Sequence, residues 1–566
     1  MRKSERIAIT SRVTIGEEQF FLLLSILIGL FAGLAVVCFR ISIEWMRWWF
    51  LGSGLTPAHN RVWLVPAVVG LLVAILVILL FPRVRGSGVN QTKAALYIYD
   101  GYIPASTILG KFITSALAIA SGQSLGPEDP SLQVGAGLAS AIGRLLHLSR
   151  DKLRLIAPVG AAAGLAAAFN SPITAVLFVI EEVIGRWSAG ILGAVVLSAI
   201  SSVVVERWFL GSEPLFRVPG YSLANPGELA AYAVLGVVGG VASVVFVRSI
   251  AYLRPRLKRL PSWTQYLQPA IAGLLIGLIG IRFPQIMGAG YDYIDQAMHE
   301  QYTWELLAGL AGLKILSTVL SFTSGTPGGL FAPTLFIGAM LGGAVGDVEH
   351  HFVPHLTGSV GAYALVGMGT AFAGILRAPM TSVFMILEVS GNYEIVLPVI
   401  ISNAIAYLIS RSIQRTPIFD VLSRQDGLDL PSLEEDRELS VMRVEDAMRP
   451  ADRIHVLDEN SLPTKEEVAK WTDDFFLVHQ DSVHWGGISR DSLLKMVSAA
   501  DQTDGLIAPL PHLYPDHALD IALRQIRDWP FLPVVHRANT NSLVGIISLA
   551  DIVDAYARSA RTRSHA

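Results

Sequence analysis

The sequence predicts an all-α polytopic membrane domain made of two repeated halves, followed by a small α/β region. Of its 566 residues, 52% are hydrophobic and 16% are charged, whereas a soluble domain carries about 25% charged residues. Apolar stretches near the roughly 20 residues that span a bilayer recur from Phe20 to Ile413. After Phe419 the composition becomes that of a soluble protein. The predicted membrane domain covers 20–422, with halves of about 20–215 and 225–422, and the α/β region covers 441–560.

The N-terminal segment, residues 1–19, is basic, with Arg2, Lys3 and Arg6 ahead of the first apolar run. Positive charge beside a membrane helix favours the cytoplasmic side, so we expect this segment to be cytoplasmic. A signal peptide is disfavoured because no small-residue cleavage site follows the run. Cys38 is the single cysteine, which excludes an intrachain disulfide and a zinc site built from cysteines.

Two similar segments, Gly122–Gly135 and Gly325–Gly338, lie in corresponding places of the halves and superpose with a shift of 203 positions. In each, a glycine-containing break leads into a proline and a new apolar helix. Repeated, interrupted segments of this kind indicate the binding site of a transporter. Because a helix start carries unpaired N–H groups and a positive dipole end, two such starts that meet would form an anion site.

A second pair of segments, Gly160–Glu181 and Gly367–Glu388, superposes with a shift of 207 positions. Both are rich in Gly, Ala and Thr, which is typical of membrane helices that pack closely. Two matches in the same order and at nearly the same shift indicate an internal repeat rather than chance similarity.

The last part of the chain predicts a small tandem repeat of its own. Phe475–Val478 and Phe531–Val535 have the pattern of short buried strands. Each precedes a second strand, which ends at Ser489 or Ser548, and then a helix. The charged stretch Ser423–Arg437 is expected to be a loop between the two regions.

Three motifs are specific enough to indicate a family: Gly86-Ser87-Gly88, Gly126-Pro127-Glu128-Asp129-Pro130 and Gly329-Leu330-Phe331-Ala332-Pro333. With them, the chain from Phe20 to about Phe419 resembles the CLC family of chloride channels and proton-coupled chloride transporters, whose fold is an inverted-topology repeat. The tail resembles a pair of CBS domains, regulatory modules that often bind adenine nucleotides.

The resemblance implies a transport protein rather than an enzyme, with chloride and protons as its transported ions and no required cofactor. It also implies a homodimer with one pore per subunit, embedded in membrane lipid and without a nucleic-acid partner. We therefore expect a multi-pass protein of the cell (inner) membrane with a cytoplasmic tail.

The resemblance also implies where the anion binds. Ser87 would donate its hydroxyl to a central anion, and Leu330 and Phe331 would contribute backbone N–H groups. Phe419 lies where the family often has a tyrosine that contacts this anion, so the aromatic wall is kept and the hydroxyl donor is lost. Asn90 stands where the family usually has proline, a change expected to alter the loop but not the donor.

Two acidic residues are the expected gate and proton site. A carboxylate at Glu128 can mimic the transported anion, and the resemblance makes it the gating glutamate, although Pro127 and Asp129 replace the family's basic residue and second glycine. Glu182 aligns with the family's internal proton glutamate, with a solvated helix end as the alternative. Acids inside a membrane segment are functional hypotheses by default. Glu388, taken as the counterpart of Glu182 in the second half, is expected to be structural.

In the tail, Ser548 and Asp551 match the ribose-contacting pattern of nucleotide-binding CBS domains, whereas the first unit has Ser489 but Ser492 at the aspartate position. An adenine-nucleotide site and a purely structural pair both stay open. His350–His351 beside an acid could suggest a metal, but a solvated loop is expected there and no metal site is predicted.

Chloride/proton antiport is the leading hypothesis for function. A passive chloride channel is the alternative favoured by Phe419 and the altered glutamate loop. A fluoride exporter is disfavoured by Ser87. A membrane-anchored nucleotide sensor is disfavoured because an anchor has no use for broken helices.

Overall fold

The computed structural model describes residues 7–8, 14–52, 59–185, 189–212, 215–216, 226–352, 358–428, 430–431, 442–451, 456–458, 463–471, 474–480, 484–498, 507–537 and 539–564. The chain divides into two compact units, Met1–Leu430 and Pro431–Ala566, each of which is described by itself.

The first half of the membrane unit begins with a short antiparallel pair, β1 (Ile7–Ala8) and β2 (Thr14–Ile15). A π-helical turn over Val179–Ile184 follows α8. The helices are α1 (Glu17–Leu51), α2 (His59–Val62), α3 (Val65–Leu79), α4 (Gly88–Tyr97), α5 (Ala105–Ala120), α6 (Glu128–Leu145), α7 (Arg150–Phe169), α8 (Pro172–Phe178) and α9 (Ala189–Leu210).

The second half repeats this series without a counterpart of α2 and adds one short helix at its end. Its helices are α10 (Glu228–Lys258), α11 (Thr264–Gly280), α12 (Tyr291–Met298), α13 (Trp304–Thr323), α14 (Phe331–Phe352), α15 (Val360–Leu376), α16 (Pro379–Ser390), α17 (Val396–Ile413) and α18 (Ile418–Gln425).

Many of these helices are suited to a bilayer. Within the described residues, seven helical segments are long and apolar enough to cross a membrane, and five further apolar helices have 10–17 residues. Large apolar side chains such as Phe31, Val68 and Leu278 are at least half exposed, a surface that lipid rather than water would cover. The predicted polytopic α-helical domain is therefore present.

The predicted repeat is visible in the helix starts and in reciprocal contacts. A shift of 203 carries the start of α4 to that of α12 and the start of α6 to that of α14. A Cβ on Gly70 would lie 2.5 Å from the Pro269 carbonyl oxygen, and a Cβ on Gly273 would lie 2.2 Å from the Pro66 carbonyl oxygen. Contacts exchanged in this way are those of an approximate two-fold axis between the halves.

Glycines bring neighbouring helices into backbone contact in both halves. A Cβ on Gly135 of α6 would lie 2.3 Å from the Gly160 carbonyl oxygen of α7. The same measure for Gly338 of α14 against Gly367 of α15 is 2.2 Å. These segments are the ones whose small residues predicted close packing.

The tail contains strands and short helices. The strands are β3 (Arg449–Pro450), β4 (Val456–Asp458), β5 (Phe475–Gln480), β6 (His484–Ser489), β7 (Ala508–Pro509), β8 (Phe531–His536) and β9 (Asn539–Ser548). The helices are α19 (Val444–Ala447), α20 (Lys465–Lys470), α21 (Arg490–Ser498), α22 (Leu519–Gln525) and α23 (Leu549–Ser564). The strands form two sheets, with orders β3-β9-β8 and β4-β5-β6-β7. The units β5-β6-α21 and β8-β9-α23 confirm the predicted repeat of secondary structure.

Two predicted loops are helical in part or in full. The stretch Ser423–Arg437 begins inside α18, and Asp426 just beyond it accepts hydrogen bonds from Arg254 and Lys258 at 2.8 and 2.7 Å. The rest of that stretch falls mainly outside the described residues. His350–His351 lies in the last turn of α14, because the apolar periodicity of that helix continues to its end.

Candidate functional site

The two glycine-containing breaks meet in the middle of the membrane unit. Gly126, before α6, and Gly329, before α14, exchange both backbone N–H···O=C bonds at 2.8 Å. Glycine is needed for this approach, since a Cβ on Gly329 would lie 2.9 Å from the Gly126 carbonyl oxygen. The starts of α6 and α14 are therefore brought together, as the sequence predicts.

Glu128 is the first residue of α6 and is fully buried. Its Oε2 accepts a hydrogen bond from the Ala332 N–H at 3.4 Å, in the first turn of α14. Its Oε1 accepts a hydrogen bond from the Tyr291 hydroxyl. Leu330 and Phe331 were expected to contribute backbone donors at this helix start. The carboxylate binds the same helix start, but through Ala332, the residue that follows them.

Tyr291 was missed by the sequence analysis, although a signal was present. Phe81–Gly88 and Phe283–Gly290 read Phe-Pro-Arg-Val-Arg-Gly-Ser-Gly and Phe-Pro-Gln-Ile-Met-Gly-Ala-Gly, with a shift of 202 positions. The second copy of the Gly-x-Gly loop immediately precedes Tyr291, which begins α12. This third repeat would have indicated that α12 starts beside the site, as α4 does.

Ser87 is at the site, but its hydroxyl is already engaged. It caps α4, and its Oγ donates to Oδ1 of Asp129 at 2.9 Å. The Gly88 N–H donates to Oδ2 of Asp129 at 2.8 Å, and the Val89 N–H donates to Oδ1 at 3.1 Å. The residue that replaces the family's glycine therefore occupies the Ser87 hydroxyl, which was predicted to donate to the anion.

A buried lysine supports each Gly-x-Gly loop, and neither was predicted. Lys111 donates to the carbonyl oxygens of Val84 and Gly86 at 3.3 and 2.9 Å, and its Nζ lies 3.8 Å from Oδ2 of Asp129. Its repeat mate Lys314 donates to the corresponding carbonyl oxygens of the other loop, those of Ile286 and Gly288, at 2.9 and 2.8 Å. Lys111 thus adds a positive charge close to Ser87.

Phe419 is buried at the second position of α18 and completes an aromatic wall. Its ring centroid lies 6.4 Å from that of Phe331 and 6.3 Å from that of Phe178. Its carbonyl oxygen accepts from Nδ2 of Asn90 at 2.7 Å, so the residue in place of the family's proline joins α4 to α18. Ser87 is thus linked to the start of α6 through Asp129, and α4 is linked to the start of α18 through Asn90.

Glu182 lies in the π-helical turn after α8, a distortion that is frequent at functional sites. Its Oε1 accepts from Lys93 Nζ at 2.9 Å, and Lys93 lies 3.9 Å from Oδ1 of Asp420. All three side chains are buried, so the alternative of a solvated helix end is wrong. The helix α4 carries Ser87 at its start and Lys93 further along.

Glu181 and Glu388 form a reciprocal pair across the halves. Glu181 Oε2 accepts from the Thr381 N–H and hydroxyl at 3.0 and 2.7 Å, at the start of α16. Glu388 Oε2 accepts from the Thr174 N–H and hydroxyl at 2.8 and 2.6 Å, at the start of α8. The repeat mate of Glu388 is therefore Glu181 rather than Glu182, and both side chains cap helices of the opposite half.

A cavity of about 140 Å³ is lined by Arg40, Arg47 and Pro127 among others. Arg40 lies 2.9 Å from Glu206, and Arg47 lies 3.5 Å from Asp292. Pro127 stands where the family pattern has a basic residue, and the arginines that line this cavity come from α1.

In the tail, the two residues expected to contact a nucleotide contact each other. Oδ2 of Asp551 accepts from the Ser548 N–H and hydroxyl at 2.8 and 2.6 Å, at the start of α23, and from Arg449 at 3.0 Å. In the first unit, Ser489 donates to Ser492 at 2.9 Å. Among the described residues no group of three His, Cys, Asp or Glu side chains could hold a metal ion.

Comparison with known proteins agrees with this geometry. A family model described as voltage gated chloride channel matches residues 72–411. A ClcB-like chloride channel protein of Ralstonia nicotianae is 31% identical over 424 residues, covering 72% of this chain and 97% of the relative. The H(+)/Cl(-) exchange transporter ClcA of Vibrio campbellii is 32% identical over 416 residues, covering 71% of this chain and 88% of the relative.

Solved structures share the fold. A slow cyanobacterial Cl−/H+ antiporter has a TM-score of 0.67 at 23% identity, covering 73% of this chain and 99% of that chain. A eukaryotic CLC transporter has a TM-score of 0.62 at 20% identity, covering 94% and 97%. A CLC-type fluoride/proton antiporter has a TM-score of 0.61 at 23% identity, covering 72% and 99%. With its paired broken helices and this family match, the chain belongs to the voltage gated chloride channel (CLC) family of multi-pass membrane proteins.

Proposed function

We propose that the protein exchanges chloride for protons across the membrane. The observation that carries this proposal is the buried Glu128 carboxylate, which binds the start of α14 as an anion would. The anion would be held among Ser87, Leu330, Phe331 and Phe419, whose helix starts converge on this point. The exchange activity of the ClcA relative supports the same function.

Protonation of Glu128 would open the anion path. The charged carboxylate accepts hydrogen bonds from the Ala332 N–H and the Tyr291 hydroxyl. Bonds to an ionised acceptor are roughly twice as strong as those to a neutral one, so protonation weakens the attachment of the side chain. An anion then takes the vacated donors, and return of the carboxylate expels it.

Glu182 would supply the proton from the other side. It is buried beside Lys93, and Lys93 lies on the helix whose start carries Ser87. Lys93 thus connects the Glu182 carboxylate to the helix that begins at the proposed anion site. A proton that passes from Glu182 to Glu128 would move beside the anion, and this would couple their movement.

A passive chloride channel is the second candidate, and Phe419 is the observation that favours it. Its ring contributes to the aromatic wall without a hydroxyl donor. A weaker central anion site would loosen coupling. Fluoride export rests on a likeness of fold alone, and a membrane-anchored nucleotide sensor would not require the convergent helix starts.

The remaining features of the proposal concern assembly and location. We place the protein in the cell (inner) membrane as a homodimer, with the N-terminal segment and the tail in the cytoplasm and no cofactor needed for transport. The tail would be a CBS pair, supported by its repeated strand–strand–helix units. An adenine nucleotide would displace the mutual contact of Ser548 and Asp551.

Anion flux from liposomes with simultaneous recording of internal pH tests the function. A chloride gradient should drive protons uphill, and Glu128→Gln should abolish proton movement while anion flux persists. Glu305→Gln, a change at an exposed acid of α13, serves as the control and should leave both fluxes unchanged. Proton movement that survives in Glu128→Gln contradicts the gate, and chloride flux without uphill protons in the unmodified protein favours the channel.

A further inference from the structure

We propose that Asp129 is a built-in competitor of the transported anion: its carboxylate occupies the donors at the start of α4 that chloride would otherwise bind. The proposal rests on the proposed function, in which Ser87 is an anion ligand. It adds a residue that sets how tightly this protein binds chloride.

The contacts of Asp129 are those expected of a bound anion. Its two carboxylate oxygens accept from the Ser87 hydroxyl and from the N–H groups of Gly88 and Val89, at 2.8–3.1 Å. Lys111 Nζ lies 3.8 Å away and provides a positive charge. Hydroxyl, consecutive backbone N–H groups at a helix start and a nearby cation together form an anion site.

Asp129 is also fixed in this place by packing. A Cβ on Gly88 would lie 2.6 Å from the Asp129 carbonyl oxygen, and a Cβ on Gly329 would lie 2.9 Å from the Asp129 Cβ. The residue therefore lies between the loops that precede α4 and α14, and it is 2% exposed. Water cannot reach the carboxylate freely, so its hydrogen bonds are made with the protein.

The two adjacent acids serve different helix starts. Glu128 binds the start of α14, whereas Asp129 binds the start of α4. Each of these anion-binding ends therefore holds its own carboxylate. Chloride cannot accept a hydrogen bond from the Ser87 hydroxyl while Asp129 accepts it, because a hydroxyl has a single donor hydrogen.

Equilibrium chloride binding to the purified full chain, measured by titration calorimetry, tests the competition. Asp129→Gly should tighten chloride binding by about tenfold or more, since a tethered competitor acts at an effective concentration in the millimolar range. Asp129→Asn keeps the side-chain size and an acceptor oxygen, so it should tighten binding less. Glu388→Gln is the matched control. Glu388 of α16 also accepts from a hydroxyl and two N–H groups at a helix start, but that helix is α8 rather than α4.

A double-mutant cycle separates competition from a general effect on the site. Ser87→Ala should weaken chloride binding several-fold more in the Asp129→Gly background than in the unmodified protein, because only there is the hydroxyl released. Unchanged affinity in both Asp129 variants, or equal effects of Ser87→Ala in the two backgrounds, overturns the proposal. Absence of chloride binding in every variant overturns the proposed function as well, whereas binding that ignores Asp129 overturns the competition alone.

Discussion

The Tyr291 hydroxyl donates to Glu128 although the two residues are 163 positions apart. In the proposed exchange mechanism, this bond holds the carboxylate where it would block the anion path. Tyr291 begins α12 and has no counterpart in the first half, where α4 begins at Gly88. A single side chain of the second half would therefore stabilise the proposed closed gate.

Tyr291→Phe should raise anion flux under alkaline conditions, where the gate is ionised and closed. A hydrogen bond to a charged group contributes about 1.5–3 kcal/mol, so the ratio of closed to open gates should fall by roughly tenfold or more. Liposome flux measured across a range of pH checks this, because the rise should fade under acidic conditions where Glu128 is protonated. Tyr302→Phe, which removes a hydroxyl bonded to Gln296, is the control. An equal rise at all pH values would point to general loosening of the fold instead.

At this scale the sequence predicts residues that lie inside motifs and misses those that act through space. Ser87, Glu128 and Phe419 are recognisable from their neighbours in the chain. The contacts of Asp129, Tyr291 and Lys93 span 42, 163 and 89 positions. Asp129 lies inside a motif and Tyr291 follows a repeated loop, but neither pattern predicts which side chain each residue contacts. Glu182 was singled out from its own segment, but its burial beside Lys93 of α4 could not be inferred from that segment.

At the scale of elements, glycine decides how closely the helices of each half pack. The Gly338–Gly367 and Gly135–Gly160 contacts place backbone against backbone at corresponding points of the two halves. The sequence predicts these contacts because small residues cluster there. It does not predict the π-helical turn, which adds a residue to one turn without changing the apolar pattern.

Gly338→Ala should destabilise the membrane unit by about 1–3 kcal/mol, the usual cost of overpacking. The added methyl would meet the Gly367 carbonyl oxygen at 2.2 Å, and backbone cannot rotate away as a side chain could. Thermal unfolding in detergent provides the measurement.

Gly309→Ala in α13 is the matched control for this change, because a Cβ there meets nothing within 4 Å. It should be neutral or stabilising, since alanine exceeds glycine in helix propensity by about 0.8–1 kcal/mol. Similar losses in both variants would show that helix composition, rather than close packing, sets the stability.

At the scale of the whole molecule, the two halves have the same architecture, but their corresponding loops present different side chains. The loops before α4 and α12 are held by Lys111 and Lys314 in the same geometry. The first loop presents Ser87, whereas the second presents Ala289, which has no hydroxyl. The fold could be predicted because hydrophobicity and repetition extend over hundreds of residues. The difference between the two loops depends on single side chains, which these long patterns do not determine.

Lys111→Met and Lys314→Met test this asymmetry as a pair. Both should lower stability to a similar degree, because each removes two hydrogen bonds to buried carbonyl oxygens. Lys111→Met alone should also change chloride affinity, because Lys111 lies 3.8 Å from Asp129 and supports the loop that presents Ser87, whereas Lys314 supports the loop that presents Ala289. Calorimetric titration of both variants decides, and equal changes of affinity would refute a functional difference between the halves.

The hydrogen-bonded pair Gly126 and Gly329 joins equivalent points of the two halves, so it lies on their approximate two-fold axis. If one half tilts against the other about this contact, displacement grows with distance from it. The starts of α6 and α14 adjoin the contact and therefore stay nearly still, while outer helices could swing. Rocking of the halves is thus a poor way to open a passage at the centre, and rotation of side chains about their own bonds is the motion that this architecture leaves to the gate.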